Sequence, residues 1–155
     1  MNIGIIVYSQ TGNTHSVAQK LKEQLAARGH KVTIEQVAIK GEASPGKRNF
    51  QFTAVPSVEP YDALVFGSPV QAFSLSVVME EYLGQLSSLE EKKVAFLVTK
   101  HLPFHWTGAN RALRQMQEIC EGKGGEVLGS GIVIWSGSRK VKTMKSALEK
   151  LNQLF

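Results

Sequence analysis

Cysteine occurs once in this chain, at Cys120, so no internal disulfide can form and nothing points to an oxidising compartment. Its place on the apolar side of an expected helix makes it a core thiol and not a nucleophile. Long hydrophobic runs are missing, and no stretch approaches the roughly 20 apolar residues of a membrane span. The first residues enter a strand-like segment with no charged region, apolar core and cleavage site, which leads us to expect a soluble, cytoplasmic protein. Histidine is scarce: His15, His30, His101 and His105 beside one cysteine give no spacing for a closed zinc site, and no metal is expected. Hydrolase signatures are absent too, with no Gly-x-Ser-x-Gly elbow and no Ser-His-Asp or Cys-His pattern. Nor is there an acidic excess, since 18 Lys and Arg face 13 Asp and Glu, for a net charge of +5. The whole surplus lies from residue 100 onward, which suits an acidic partner or an anionic small molecule. Basic residues are not interleaved with aromatics along one stripe, so nucleic acid is not an expected partner.

What is present fits one domain covering residues 1–155, with 43% hydrophobic residues and enough length to bury a core. Apolar, β-branched runs at 3–8, 31–37, 63–67, 94–99 and 131–135 read as strands. Four are nearly continuous, as in parallel strands buried on both faces; the run at 31–37 alternates less cleanly and suggests an edge. Helical stripes lie between them: Val17, Ala18, Leu21 and Leu25, closing on Gly29; Val78, Met79, Tyr82, Leu83 and Leu86; Ala109, Leu113, Met116, Ile119 and Cys120; and Val141, Met144, Leu148, Leu151 and Phe155. The alternation predicts an α/β fold, a three-layer doubly wound parallel sheet of five strands in the order 2-1-3-4-5, with its ligand site at the carboxyl ends of the strands. Residues 39–60 break the pattern. Gly41, Pro45, Gly46, Pro56 and Pro60 interrupt them, and they read as an extended, mobile connection.

The first strand runs into Ser9-Gln10-Thr11-Gly12-Asn13-Thr14, and a helix follows at once. A helix start offers free N–H groups and the positive end of a dipole, Gly12 permits a tight turn, and the hydroxyls can donate to an anion. The Gly-Lys-Ser/Thr ending of a Walker loop is absent, and one glycine does not make a dinucleotide fingerprint. A plain helix start capped by Ser9, Thr11 or Asn13 is the competing reading.

Residues 9–14 match, at every fixed position, the Thr/Ser-x-Thr-Gly-x-Thr loop with which flavodoxins hold the phosphate of flavin mononucleotide (FMN), and the chain resembles a short-chain flavodoxin over essentially its whole length. The resemblance implies that Ser9, Gln10, Thr11, Gly12, Asn13 and Thr14 wrap the phosphate. Gly67-Ser68-Pro69 after the third strand is similar to the loop that brings backbone groups to the flavin N5 edge, which makes Pro69, Val70, Gln71, Ala72 and Phe73 candidates, with Phe73 either covering a ring face or packing on the next helix. The segment from Thr99 to Gly108 should flank the other side of the ring. Trp106 or Phe104 would stack on the flavin and Thr99 or the loop backbone would bond its pyrimidine edge, unless the aromatics are simply anchored in the core. Lys100, His101 and His105 replace the acidic character usual in this loop, and a basic surround would favour the anionic reduced flavin and raise the potential.

The resemblance therefore implies an FMN-binding redox protein, serving electron transfer or flavin-dependent oxidoreduction; an NAD(P)H-dependent quinone or flavin reductase is the alternative within that class. A non-redox flavodoxin-like binding module is the alternative from another class. The expected partner is an acidic redox protein or a small-molecule electron acceptor, with no nucleic acid and no membrane.

Overall fold

Strands that are buried on both faces need helices above and below them, and the chain supplies these in alternation. The structure, a computed structural model, describes residues 1–44, 47–101 and 108–155. The first strand, β1 (Asn2–Val7), leads into α1 (Asn13–Ala27) and returns through β2 (Lys31–Gln36). A hairpin follows, β3 (Ala38–Ser44) and β4 (Lys47–Ala54), and then β5 (Ala63–Gln71), the short β6 (Ser74–Leu75) and α2 (Val77–Gln85). The chain closes with β7 (Lys93–Lys100), α3 (Ala109–Gly122), β8 (Glu126–Ile134) and α4 (Arg139–Gln153).

The main sheet runs β2-β1-β5-β7-β8 with every neighbouring pair parallel, and β6 pairs antiparallel with the end of β5. This is the expected order, with β2 at an edge. Alternate side chains serve two cores. On one face Ile3, Ile5, Val65 and Leu97 pack with Leu21 and Leu25 of α1 and Leu148 and Leu151 of α4. On the other Ile6, Leu64, Phe66, Phe96 and Val98 meet Met79, Tyr82 and Leu83 of α2 and Met116 and Cys120 of α3. The Phe66 and Tyr82 rings meet edge to face at 6.3 Å, and Tyr82 Oη donates to the Pro56 carbonyl at 2.6 Å. Cys120 is fully buried, as expected, and desolvation raises its thiol pKa to about 12.

Two expectations need correction. Residues 39–60 are not simply an extended connection, because Ala38–Ser44 and Lys47–Ala54 pair as β3 and β4 in register from Ser44↔Lys47 to Ala38↔Ala54. Ile39, Phe50 and Phe52 pack on the core and Ala43 is buried, so burial on one face holds the hairpin in place. Outside it, Arg48 bridges Glu80 and Glu81 of α2 at 2.9 and 2.7 Å. Val141 is not part of the core: it is 74% exposed in the first turn of α4, before that helix settles onto the sheet through Met144, Ala147 and Leu148.

Candidate functional site

The carboxyl ends of β1, β5 and β7 meet where three loops emerge. In the first, Tyr8 N–H still donates to the Gly67 carbonyl at 3.0 Å, tying the start of the Ser9–Thr14 loop to β5. Gly12 then turns at φ 87° into α1, and no side chain caps the helix. Nothing lies within 4 Å of where a Gly12 Cβ would stand, and Gln10, Thr11 and Gly12 are exposed. Ser9 Oγ accepts a long bond from His15 N–H at 3.4 Å, farther along than an ordinary cap. An open helix N-terminus with adjacent hydroxyls is the donor set a phosphate needs, so the residues present fit that group.

Thr14 faces inward. Its hydroxyl meets that of Thr99 at 2.8 Å, and both residues are buried, so the first and third loops are joined beneath the surface. Gly67 is required beside them: a Cβ there would lie 2.8 Å from Val7 Cγ1 and 3.1 Å from Thr14 Cγ2.

The second loop is a tight hairpin. Val70 and Gln71 pair with Leu75 and Ser74, which leaves Ala72 and Phe73 as a two-residue turn with φ of 45° and 63°. Positive φ at two successive non-glycine residues is strained, and strain of this kind gathers at ligand clamps and switch regions. Two buried groups brace it from below: Ser68 Oγ lies 2.8 Å from Ser76 Oγ, and Ser76 caps α2 by accepting from Met79 N–H at 3.2 Å. Gln115 of α3 accepts from Ser74 Oγ and Leu75 N–H at 3.0 and 2.9 Å. Phe73 is 49% exposed and does not sink into the following helix.

Gln71 Nε2 donates to Gln10 Oε1 at 2.6 Å, and Gln10 Nε2 reaches toward the Ala43 carbonyl at 3.5 Å, linking both loops to the β3–β4 hairpin. Among the described residues, the buried Gln71 Oε1 has no hydrogen-bond partner.

From the third loop, Thr99 and Lys100 close β7 and are buried, with desolvation lowering the Lys100 pKa from its usual value. His101 is exposed, and Gly108 begins α3 at φ 99° against the backbone of Phe73. Phe104, His105 and Trp106 lie outside the described residues. Sequence reasoning missed the Ser68–Ser76 pair and the Gln115 bonds, because these partners are distant in sequence and their residue types are common.

Sheet order, crossovers and the three loops define a flavodoxin-like α/β protein with its crevice at the carboxyl ends of β1, β5 and β7. The chain belongs to the flavodoxin family, whose domain model, described as "Flavodoxin domain", matches residues 4–122, and it is a short-chain member. Among solved structures it is similar to oxidised Flavodoxin 2 from Bacillus cereus, with 20% identity, full coverage of both chains and a TM-score of 0.71. It is also similar to a flavodoxin, WrbA-like protein from Agrobacterium tumefaciens, with 13% identity over 99% of this chain and 94% of that one and a TM-score of 0.73. A flavoprotein in complex with FMN from Lactobacillus acidophilus NCFM is 16% identical over 94% of this chain and 97% of that one, with a TM-score of 0.65. At these identities the likeness is one of fold. Family and fold together suggest an FMN-binding redox protein. Among the described residues, no helix is long and apolar enough to cross a membrane.

Proposed function

We propose that residues 1–155 form one domain that binds FMN in this crevice and carries electrons to and from a protein partner. The observation that bears most weight is the uncapped start of α1, where Gly12 and the neighbouring hydroxyls open beside the strained Ala72–Phe73 turn. Ser9, Thr11, Asn13 and the backbone of 10–14 would hold the phosphate. Pro69 to Phe73 would border the ring on one side, and Thr99, Lys100, His101 and Gly108 would border it on the other, together with Phe104, His105 and Trp106. Bound there, FMN supplies one- and two-electron redox chemistry, while the chain fixes the ring and its surroundings.

Thr14 and Thr99 position the first and third loops through their shared hydroxyl contact. The membership of the family and its fold support electron transfer, and the excess of basic residues after residue 99 supports an acidic partner. Visible absorption of the purified protein tests the reading. Oxidised-flavin bands, either as isolated or after adding FMN, are expected. A colourless protein that takes up no FMN would overturn it in favour of a non-redox binding module.

A further inference from the structure

We propose that the groove between α1 and α4 is the docking site for an acidic partner protein, which seats an exposed apolar side chain in it. This rests on the electron-carrier reading and names the surface that serves it. The groove encloses about 610 Å³. Trp135, Val141, Met144 and Leu148 give it an apolar lining. Val141, 74% exposed in the first turn of α4, adds apolar surface to that lining.

Charge selects the occupant. Lys20, Lys140 and Lys145 stand around the lining, and Lys140 Nζ sits 4.2 Å from the Trp135 ring centroid, holding a cation over the aromatic floor. Glu23 and Glu149 also line the groove, one turn farther along α1 than Lys20 and one turn farther along α4 than Lys145. Both helices run away from the carboxyl ends of the strands, so the lysines occupy the half nearer the crevice and the carboxylates the far half. Arg139 and Lys142 add positive charge to the same first turn of α4 without lining the groove. An acidic patch surrounding an apolar anchor complements this arrangement. In a two-fold pairing of two copies the lysine half of one groove would face the carboxylate half of the other, so self-association is the competing outcome that the test reads.

One end of the groove lies toward the carboxyl ends of the strands, where α1 and α4 begin. The backbone N–H of Trp135 donates to the Lys100 carbonyl at 2.6 Å, continuing the β7–β8 ladder, so the residue that carries the groove's aromatic ring follows the end of β8 beside the end of β7. Ser16 lines the same groove two residues after Thr14, at the start of α1. A protein seated here lies beside the phosphate loop and not on the opposite end of the sheet.

The test uses the full chain with FMN added, isotope-labelled for NMR, and two probes of opposite charge: an acidic b-type cytochrome and a basic c-type cytochrome. At low salt the acidic probe should shift the amide signals of Lys20, Lys140, Val141 and Lys145 and the indole of Trp135, and the shifts should fade as salt shortens the screening length toward about 8 Å. Lys140→Glu and Val141→Ser, both at the groove, should each weaken the acidic probe's binding several-fold. Lys31→Glu, which makes the same charge change at the far end of β2, should leave it nearly unchanged. The proposal is overturned if the shifts map elsewhere or are absent, if the basic probe binds equally well, if Lys31→Glu is as damaging as Lys140→Glu, or if the labelled protein self-associates through these residues. Flavin uptake is read separately by absorption, so a failure to bind FMN and a failure to dock give different results.

Discussion

Gly108 and Phe73 share one space. A Cβ on Gly108 would stand 2.2 Å from the Phe73 carbonyl carbon and 2.5 Å from its oxygen, so the start of α3 is pressed against the turn after β5. Gly108 also sits at φ 99°. The second and third loops thus lock together only if residue 108 has no side chain.

Gly108→Ala should therefore cost about 2–5 kcal/mol, combining left-handed strain with overpacking against backbone that cannot yield. It should also weaken FMN binding by displacing the Ala72–Phe73 turn. Urea denaturation and fluorescence titration with FMN measure the two effects. A variant with wild-type stability would show that the turn moves aside freely.

Thr14→Val leaves the Thr99 hydroxyl buried without its partner, and Thr99→Val does the reverse, so each should cost about 1–3 kcal/mol. The double variant removes both polar groups and should cost less than the sum. A double-mutant cycle by denaturation is expected to give a coupling of about 1 kcal/mol or more. Simple additivity would mean that the two hydroxyls do not depend on each other.

Burial holds the Lys100 ammonium below its usual pKa of 10.5. Between the lowered folded value and 10.5 the unfolded chain binds the extra proton, so this residue's contribution to stability rises with pH across that window. Below the window both states are protonated and the burial cost is felt in full. The stability of the wild type minus that of Lys100→Met should accordingly grow more favourable as pH climbs toward 10.5. Parallel denaturation midpoints for the two proteins would show that the ammonium is fully solvated.

With its pKa pushed up to about 12, the Cys120 thiol has a negligible thiolate fraction near pH 8 and no exposure. Iodoacetamide should label it only as fast as the protein opens, with rates that rise steeply in urea. Labelling in native buffer as fast as a free thiol would contradict the buried placement.

The strands of the main sheet were legible because residues buried on both faces form unbroken apolar runs, but their ends were not. The β5 strand extends to Gln71, past the apolar run, because Val70 and Gln71 find partners in Leu75 and Ser74. The last strand begins at Glu126 and not at 131, since Gly129 and Gly131 interrupt its apolar character. Those glycines belong in the strand: a Cβ would stand 3.1 Å from Leu154 Cδ1 at residue 129 and 3.0 Å from Ala147 Cβ at residue 131, where α4 crosses closely. The hairpin announced itself only in the alternation of Phe50 and Phe52 with polar neighbours, a signal masked by Gly41, Pro45 and Gly46. In the candidate site, Gly12 was readable from the tight turn between β1 and α1, whereas the need for Gly67 and Gly108 comes from Val7, Thr14 and the Phe73 backbone, far away in sequence. The Thr14–Thr99 and Gln10–Gln71 contacts join residues 85 and 61 positions apart, which no local pattern encodes.

The turn at Ala72 and Phe73 has a further consequence for how the domain responds to replacement of its parts. A two-residue hairpin of this sign pattern is most at ease with Asn-Gly, whereas here both positive-φ places hold residues that resist them. The peptide units at 72 and 73 are therefore kept in a cocked arrangement by Gly108 on one side and the Ser68–Ser76 brace on the other. Grafting Asn-Gly into the turn would relieve that tension and firm up the free protein, but it would also remove the half-exposed ring that rises from the rim of the crevice. Thermal robustness and the shape offered to a visiting molecule thus pull this one dipeptide in opposite directions.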